Sequence, residues 1–170
     1  NIFTASNTAD WLYKIDTSTG DITGVAMDES IGNPPDQTTQ RLKPIQCLLA
    51  GGNLFVTCSG GPWVNPFTGE QSIIQGQVQM WEIESMTLLD VLELGEYTAP
   101  WHIAQSGDFI YVALAGDNLY DTEGLACITF TEDSLLLEWI TNDSVFDTLH
   151  GVFMGADRTE SGCDSTHLLF

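Results

Sequence analysis

The sequence predicts an all-β protein built from a repeated unit of four short strands, and three observations lead to this expectation. First, a step from a branched aliphatic residue to an aromatic residue recurs along the chain. The aromatic residues of these steps follow one another at intervals of 52, 56 and 59 residues and are Phe3, Phe55, Tyr111 and Phe170. Second, short apolar runs bounded by turn residues surround each step. Third, no stretch of about 12 residues has helical periodicity.

Each unit begins with an apolar stretch and a turn, passes through the aliphatic–aromatic step, and ends with two more strand-like runs. The opening stretches are residues 42–50, 99–104 and 149–154, and the closing pairs are 11–16 with 21–27, 77–83 with 87–94, and 124–130 with 134–140. Asp16 and Gly20 suit a capped turn with a positive φ between the first closing pair. Gly52 and Asn53 suit a two-residue hairpin turn after the opening stretch 42–50.

Four-stranded repeats of roughly 40–50 residues are typical of the blades of a β-propeller. We expect about three blades, with boundaries near residues 1–40, 41–97 and 98–147, and a partial unit at 148–170. Three blades cannot close a ring, because propellers need at least about four. The whole chain, 1–170, is therefore expected to be one propeller segment of a larger ring completed by more of the same polypeptide. A six-bladed ring of two copies and an end-to-end filament are the alternatives.

Three stretches resemble the repeats of YVTN-type propellers. Residues 109–113 are similar to the strand that gives the repeat its name, residues 12–20 to the next strand with its D-x-x-T-G turn, and residues 100–103 to the opening of the innermost strand. The chain thus resembles the group of YVTN repeat surface proteins, lactonase-like propellers and quinoprotein-like propellers. It departs from that pattern because the asparagine that often closes the YVTN strand is absent after Val112. Inserted loops also lengthen the repeat spacing.

Composition excludes several classes of partner. The chain carries 24 acidic residues against 4 Lys and Arg, a formal net charge of −20, so a nucleic acid would be repelled. Anionic membrane surfaces are disfavoured for the same reason, and no window approaches the roughly 18 apolar residues of a membrane span. An apolar content of 43% is enough for a buried core. Residues 1–4 resemble strand interior rather than a signal peptide, so we expect a chain that is processed or cut from a longer one.

The four cysteines bear on the compartment. No C-x-x-C motif is present, so structural zinc lacks support. If residues 52–53 form the hairpin turn, Cys47 and Cys58 lie directly opposite each other, which predicts a disulfide; two buried free thiols are the alternative. Cys127 and Cys163 are a second candidate pair, between neighbouring blades. An even count of cysteines, high acidity and little lysine predict a secreted protein, extracellular or on the cell surface.

Two groups of residues are candidate metal ligands. Superposition of the units places Gln46, His102 and His150 at the same point of the opening strand, where a propeller has its central channel. Two imidazoles suit a transition metal or a general base; hydrogen-bonded channel residues are the alternative. An acidic loop offers hard oxygen ligands for Ca²⁺, although it departs from the EF-hand template, and a solvated loop is the alternative. Its candidate ligands are Asp117, Asn118, Asp121 and Glu123.

Trp63 is the candidate ligand-binding or partner-binding residue. It lies in a stretch rich in glycine and proline, where an exposed ring suits stacking on a sugar or anchoring a partner. The alternative is that Trp63 covers the edge of a blade. No motif of nucleophilic catalysis is present, and no catalytic residue is identified.

These observations predict an extracellular or cell-surface propeller that serves binding or assembly. Its partner is expected to be a protein or a glycan, or further copies or segments that complete the ring. The alternative is a propeller enzyme, lactonase-like or metal-dependent, with its site at the central channel, so whether the protein is an enzyme stays open. The cofactor is unknown; Ca²⁺ and a transition metal are the candidates that the two groups of ligands suit.

Overall fold

The computed structural model describes residues 1–6, 9–28, 41–65, 67–116, 120 and 122–142. These residues form thirteen β-strands and no helix. The strands are arranged in four antiparallel sheets, which confirms the predicted all-β class. Three of these sheets are stacked, and the fourth is a two-stranded hairpin.

The first sheet has three strands in the order in which they occur along the chain. They are β1 (Ile2–Ser6), β2 (Trp11–Ile15) and β3 (Ile22–Ala26). The turn between β2 and β3 has the predicted chemistry. The Asp16 carboxylate accepts the backbone N–H of Ser18 at 2.8 Å, and Gly20 has a φ of 80°. An Asp at the start of the turn and a glycine at its end therefore set the pairing of these two strands.

The second sheet has four strands, β4, β5, β8 and β9. Their bounds are β4 (Pro44–Ala50), β5 (Asn53–Cys58), β8 (Gly76–Glu82) and β9 (Thr87–Gly95). The predicted turn at residues 52–53 is wrong by one position. Gly51 and Gly52 occupy the turn, with φ of 57° and 87°, and Asn53 begins β5 opposite Ala50. A two-residue turn with positive φ at both positions is satisfied best by two glycines.

A small hairpin is inserted between β5 and β8, where the sequence indicated a loop. Its strands are β6 (Gly61–Val64) and β7 (Gln71–Ile74), and they pair only with each other. The Asn65 side-chain oxygen accepts the N–H of Phe67 at 2.9 Å and so helps to close the hairpin turn. At Gly60, with a φ of 59°, a Cβ atom would lie 2.4 Å from the carbonyl oxygen of Ile74. Only glycine allows the two ends of the insertion to approach this closely.

The third sheet repeats the strand order of the second. Its strands are β10 (Pro100–Ser106), β11 (Phe109–Leu114), β12 (Gly124–Phe130) and β13 (Leu135–Asn142). A β-bulge interrupts the pairing of its first two strands directly after Pro100, and the second sheet has the same irregularity directly after Pro44. The two four-stranded sheets therefore share strand order, direction and the position of a bulge.

The second sheet lies between the other two. Every residue of β5 is buried, and so is every residue of β8 except the last. One apolar cluster fills the space between the first and second sheets and includes Leu12, Leu54, Val56, Cys58 and Trp81. A second cluster fills the space between the second and third sheets and includes Phe55, Met80, Ile110, Val112 and Ile128. Burial on both faces explains why β5 has no alternation of polar and apolar residues.

Candidate functional site

Five connections leave the stacked sheets at the same end, which we call the loop face. They are the connections β1–β2, β3–β4, β5–β8, β9–β10 and β11–β12. Neighbouring connections are tied by backbone hydrogen bonds. Gly60 donates to the carbonyl of Leu42 at 2.9 Å, and Gly116 donates to the carbonyl of Thr98 at 2.9 Å. The described parts of the β3–β4 and β5–β8 connections are therefore joined, and so are those of the β9–β10 and β11–β12 connections.

A buried carboxylate organises the first part of the loop face. Asp10, in the β1–β2 connection, is fully buried. Its side chain accepts the backbone N–H groups of Arg41, of Leu42 at 2.8 Å and of Lys43 at 2.8 Å. These three amides belong to the segment that leads into β4. Because a buried carboxylate needs such partners, Asp10 fixes where the second sheet begins relative to the first.

The segments leading into β4 and β10 have the same backbone conformation. Lys43 and Ala99 immediately precede the prolines that open these strands, and their φ values are 53° and 44°. The carbonyl of Lys43 accepts the N–H of Ser59 at 3.1 Å, and that of Ala99 accepts the N–H of Ala115 at 3.0 Å. A non-glycine residue at positive φ is strained. Its occurrence before both β4 and β10 indicates that these two strands require the same backbone conformation where they begin.

The structure brings Gln46 and His102 together. Each of the two residues is the second after the proline that opens β4 or β10, next to the bulge, so their positions are equivalent, as the superposition of the units predicts. His102 Nδ1 lies 3.2 Å from the Gln46 side-chain oxygen, which also accepts the N–H of Ile103 at 3.1 Å. His150 lies outside the described residues, so the predicted pair of histidines stays a prediction. Within the described ranges, no group of three or more His, Cys, Asp or Glu side chains is placed to hold a metal ion.

Only one of the four candidate calcium ligands is among the described residues. Glu123 is 8% exposed and lies beside Gly116, where a Cβ atom would be 2.7 Å from the Glu123 Cγ atom. Asp117, Asn118 and Asp121 fall outside the described residues. The calcium site is therefore an untested prediction, and of Glu123 itself only 8% of the residue surface is exposed.

Trp63 lies in β6 and not in an irregular loop. Its ring is half-buried, and the guanidinium carbon of Arg41 lies 5.1 Å from the ring centroid. Arg41 is also 3.8 Å from the carboxylate of Asp28. A cation over the ring face leaves less of the ring for a ligand, so Trp63 holds the hairpin on the loop face as well as being a candidate for binding.

The sequence did not single out a stacked pair of aromatic rings on the loop face. Tyr97 and Tyr120 stack with their ring centroids 4.2 Å apart and their planes 18° from parallel. Tyr120 is 54% exposed, and the Thr122 hydroxyl donates to the carbonyl of Tyr97 at 2.6 Å, which ties the β9–β10 and β11–β12 connections together. In the sequence, the only sign of this contact is that each of two polar loops contains a tyrosine. Their contact depends on how the sheets are joined.

The predicted disulfide between Cys47 and Cys58 is wrong. The one-residue shift of the hairpin turn places Cys47 opposite Val56, and Cys58 opposite Pro44. Cys47, Cys58 and Cys127 are all free thiols. Burial raises the pKa of Cys47 to about 11 and raises that of Cys58 well above its usual value. The suggested partner of Cys127, Cys163, lies outside the described residues.

Comparison with models of known protein families and with curated protein sequences finds no match for this chain. Among the described residues there is no helix with the length and apolar content needed to cross a membrane.

Proposed function

We propose that the chain is a segment of a β-propeller that acts outside the cell or on its surface as a binding module, with the loop face as the binding surface and a neutral glycan as the partner. Support for a propeller is the stacking of antiparallel sheets in chain order, with the same entry segment and bulge in the second and third sheets. The acidic composition supports a location outside the cell. The cysteines give this location little support, because the described ones are free thiols.

The observation that carries the proposed binding function is the stacked pair Tyr97–Tyr120. An exposed aromatic ring that is already held by a second ring binds the apolar face of a sugar without losing much conformational entropy. The net charge of −20 repels anionic partners, whereas it does not repel a neutral sugar. Glu96, the exposed residue next to Tyr97 in the chain, has a carboxylate that can accept hydrogen bonds from sugar hydroxyls.

Calorimetric titration of the full chain with a panel of neutral hexasaccharides (β-1,4-glucan, α-1,4-glucan and chitin fragments) tests the proposal. We expect at least one of them to bind, and Tyr120→Ala to weaken that binding about tenfold or more. Trp63→Ala is expected to weaken it less, because Arg41 already covers part of the ring. Phe109→Ala is the matched control, since Phe109 is an exposed aromatic residue next to the β10–β11 turn, at the opposite end of the sheet.

Two results would overturn the proposed function. No heat with any hexasaccharide would exclude a neutral glycan, and equal loss in Tyr120→Ala and Phe109→Ala would exclude the loop face. Metal analysis addresses the enzyme hypothesis separately. Stoichiometric copper or iron in the purified protein that is lost in His102→Ala would favour a metal-dependent enzyme over a binding module.

A further inference from the structure

The third sheet has an open face, which we define by Phe109, Tyr111 and Ala113 of β11, Leu125 and Cys127 of β12, and Leu136 and Trp139 of β13. Ile110, Val112 and Leu114 point into the core shared with the second sheet, so the alternate residues of β11 point away from it. Phe109 is 40% exposed, Trp139 41% and Leu136 62%. None of the described strands covers this face.

The residues of the open face are of the kind found on a buried sheet face. The pairing Tyr111–Cys127 occupies the same place in the third sheet as Phe55–Met80 in the second. Phe55 and Met80 are completely buried, because the third sheet lies on them. Tyr111 is also in contact with the rings of Phe109 and Trp139, with centroids 6.3 and 6.4 Å away. Three adjacent aromatic rings on one sheet face indicate a surface that another element covers.

In both described cases the cover is the strand that follows next along the chain. β4 follows the first sheet and contacts β1, and β10 follows the second sheet and contacts β4 and β5. The Thr57 hydroxyl of β5 donates to the carbonyl of Trp101 in β10 at 3.2 Å. After β13 the chain continues for residues 143–170, in which residues 149–154 are the last of the apolar opening stretches and Thr148 aligns with Pro44 and Pro100.

The residues at the start of β2, β8 and β12 show how the following segment is received. Asp10, Gly76 and Glu123 are equivalent in register, each lying one residue before the position that pairs with the end of β1, β5 or β11. Asp10 accepts the amides of the segment that leads into β4. At Gly76, a Cβ atom would lie 2.4 Å from both Thr98 and Pro100, so the segment leading into β10 passes directly over it.

We propose that residues 148–154 of the same chain form the first strand of a further sheet, which lies on the open face, and that Glu123 accepts backbone N–H groups of residues 145–147 as Asp10 does in the first sheet. Glu123 has a carboxylate at the register position of Asp10, and only 8% of the residue is exposed. The proposal concerns the fold of the chain and does not depend on the glycan hypothesis.

Hydrogen exchange of the full chain, resolved by peptide mass spectrometry, tests this assignment. We expect the amides of residues 149–154 to exchange at least about tenfold more slowly than in an unfolded chain. Ala113→Asp buries a carboxylate under the proposed strand and is expected to remove this protection. Ala113→Thr, which supplies a hydroxyl where the second sheet has Thr57, is expected to keep it.

Ala26→Asp is the matched control, because Ala26 lies in β3 on the face of the first sheet that points away from the second. It should leave exchange at residues 149–154 unchanged. If Ala113→Asp also exposes β5, and so has unfolded the protein, Glu123→Ala replaces it, with an expected loss of protection of about tenfold at residues 145–154.

Three results would overturn the proposal. They are exchange of residues 149–154 at the unfolded rate in the unmodified chain, protection that survives both Ala113→Asp and Glu123→Ala, and a dimer that dissociates in Ala113→Asp while residues 149–154 stay unprotected. The last result would mean that a second copy covers the open face.

Discussion

Asp10 is the residue on which the junction of the first two sheets depends. Its carboxylate is fully buried and accepts three backbone N–H groups from residues 41–43. An asparagine has the same shape but only one oxygen, and its NH₂ group would face an amide hydrogen. Asp10→Asn is therefore expected to lower the free energy of unfolding by about 2–4 kcal/mol.

Urea unfolding followed by tryptophan fluorescence measures this loss. The control is Asp16→Asn, because an asparagine oxygen can still accept the N–H of Ser18 in the exposed β2–β3 turn. An Asp10→Asn protein with the same urea midpoint as the unmodified chain would contradict a structural role for this carboxylate.

The carboxylate of Glu82 makes the stability of the folded chain depend on pH, and a single substitution can test this contribution. Its carboxylate accepts hydrogen bonds from Ser85 and from the N–H of Glu84, and these bonds lower its pKa from 4.5 to about 2. Because the folded pKa is the lower one, the contribution is complete above about pH 4.5 and is lost as the pH falls towards 2. In Glu82→Gln we therefore expect a shallower loss of stability over that interval.

Thermal unfolding of Glu82→Gln and of the unmodified chain at closely spaced pH values provides the comparison. Glu93→Gln, an exposed position of β9, is the matched control and should keep the full acid dependence. Parallel curves for Glu82→Gln and the unmodified chain would show that the hydrogen bonds of Glu82 do not persist in solution.

At the scale of elements, the β4–β5 turn offers a matched pair of substitutions. Gly51 and Gly52 both have positive φ, so alanine is strained at either position. A Cβ atom at Gly51 would lie 2.4 Å from the ring of Phe130, whereas Gly52 has no atom within 4 Å. Gly52→Ala is expected to cost about 1 kcal/mol, and Gly51→Ala about 1–3 kcal/mol more.

The difference between the two urea midpoints is the quantity to measure, since the backbone penalty is common to both variants. Phe130→Leu in the Gly51→Ala background serves as the control, because a smaller side chain should relieve part of the additional cost. Equal midpoints for the two glycine variants would mean that Phe130 does not pack on this turn.

The strands could be predicted from the sequence because their signal is local. Alternation, aromatic steps and turn residues lie within a few positions of each other, and the elements found at Pro100–Ser106 and Phe109–Leu114 match the expected runs closely. The exact turn could not be predicted, since Gly51, Gly52 and Asn53 all suit two-residue turns. This one-residue uncertainty reversed the conclusion about the cysteines.

The candidate site was less accessible to prediction, because its contacts join connections that are distant in sequence. The partners of Asp10 are backbone amides about thirty residues further along the chain, and a backbone amide has no sequence signature. Tyr97 and Tyr120 meet only because two sheets hold their loops side by side. The β6–β7 hairpin was missed since glycine and proline at its start are typical of irregular loops.

At the scale of the whole molecule, the excess of acidic groups opposes folding. The net charge is −20, and the described residues contain two ion pairs, Lys14–Glu84 and Arg41–Asp28. Most acidic groups therefore repel one another, over a distance that falls from about 30 Å at 10 mM salt to about 8 Å at 150 mM. We expect the melting temperature to rise by several degrees over this range.

Differential scanning calorimetry in sodium chloride and in potassium chloride measures this effect. The two salts should act alike at equal ionic strength if screening is the cause. A melting temperature that is constant between 10 and 150 mM salt would show that the folded chain has no net self-repulsion to relieve.

The inserted hairpin has a consequence for limited proteolysis. Its tip, with Phe67 79% exposed, offers a cleavage site, yet the strands on either side of the insertion, β5 and β8, are neighbours in the enclosed middle sheet. A cut there would leave two polypeptides that still share a ladder of hydrogen bonds and both apolar clusters. The nicked protein should therefore migrate as one species in a native gel and separate into two bands only in denaturant.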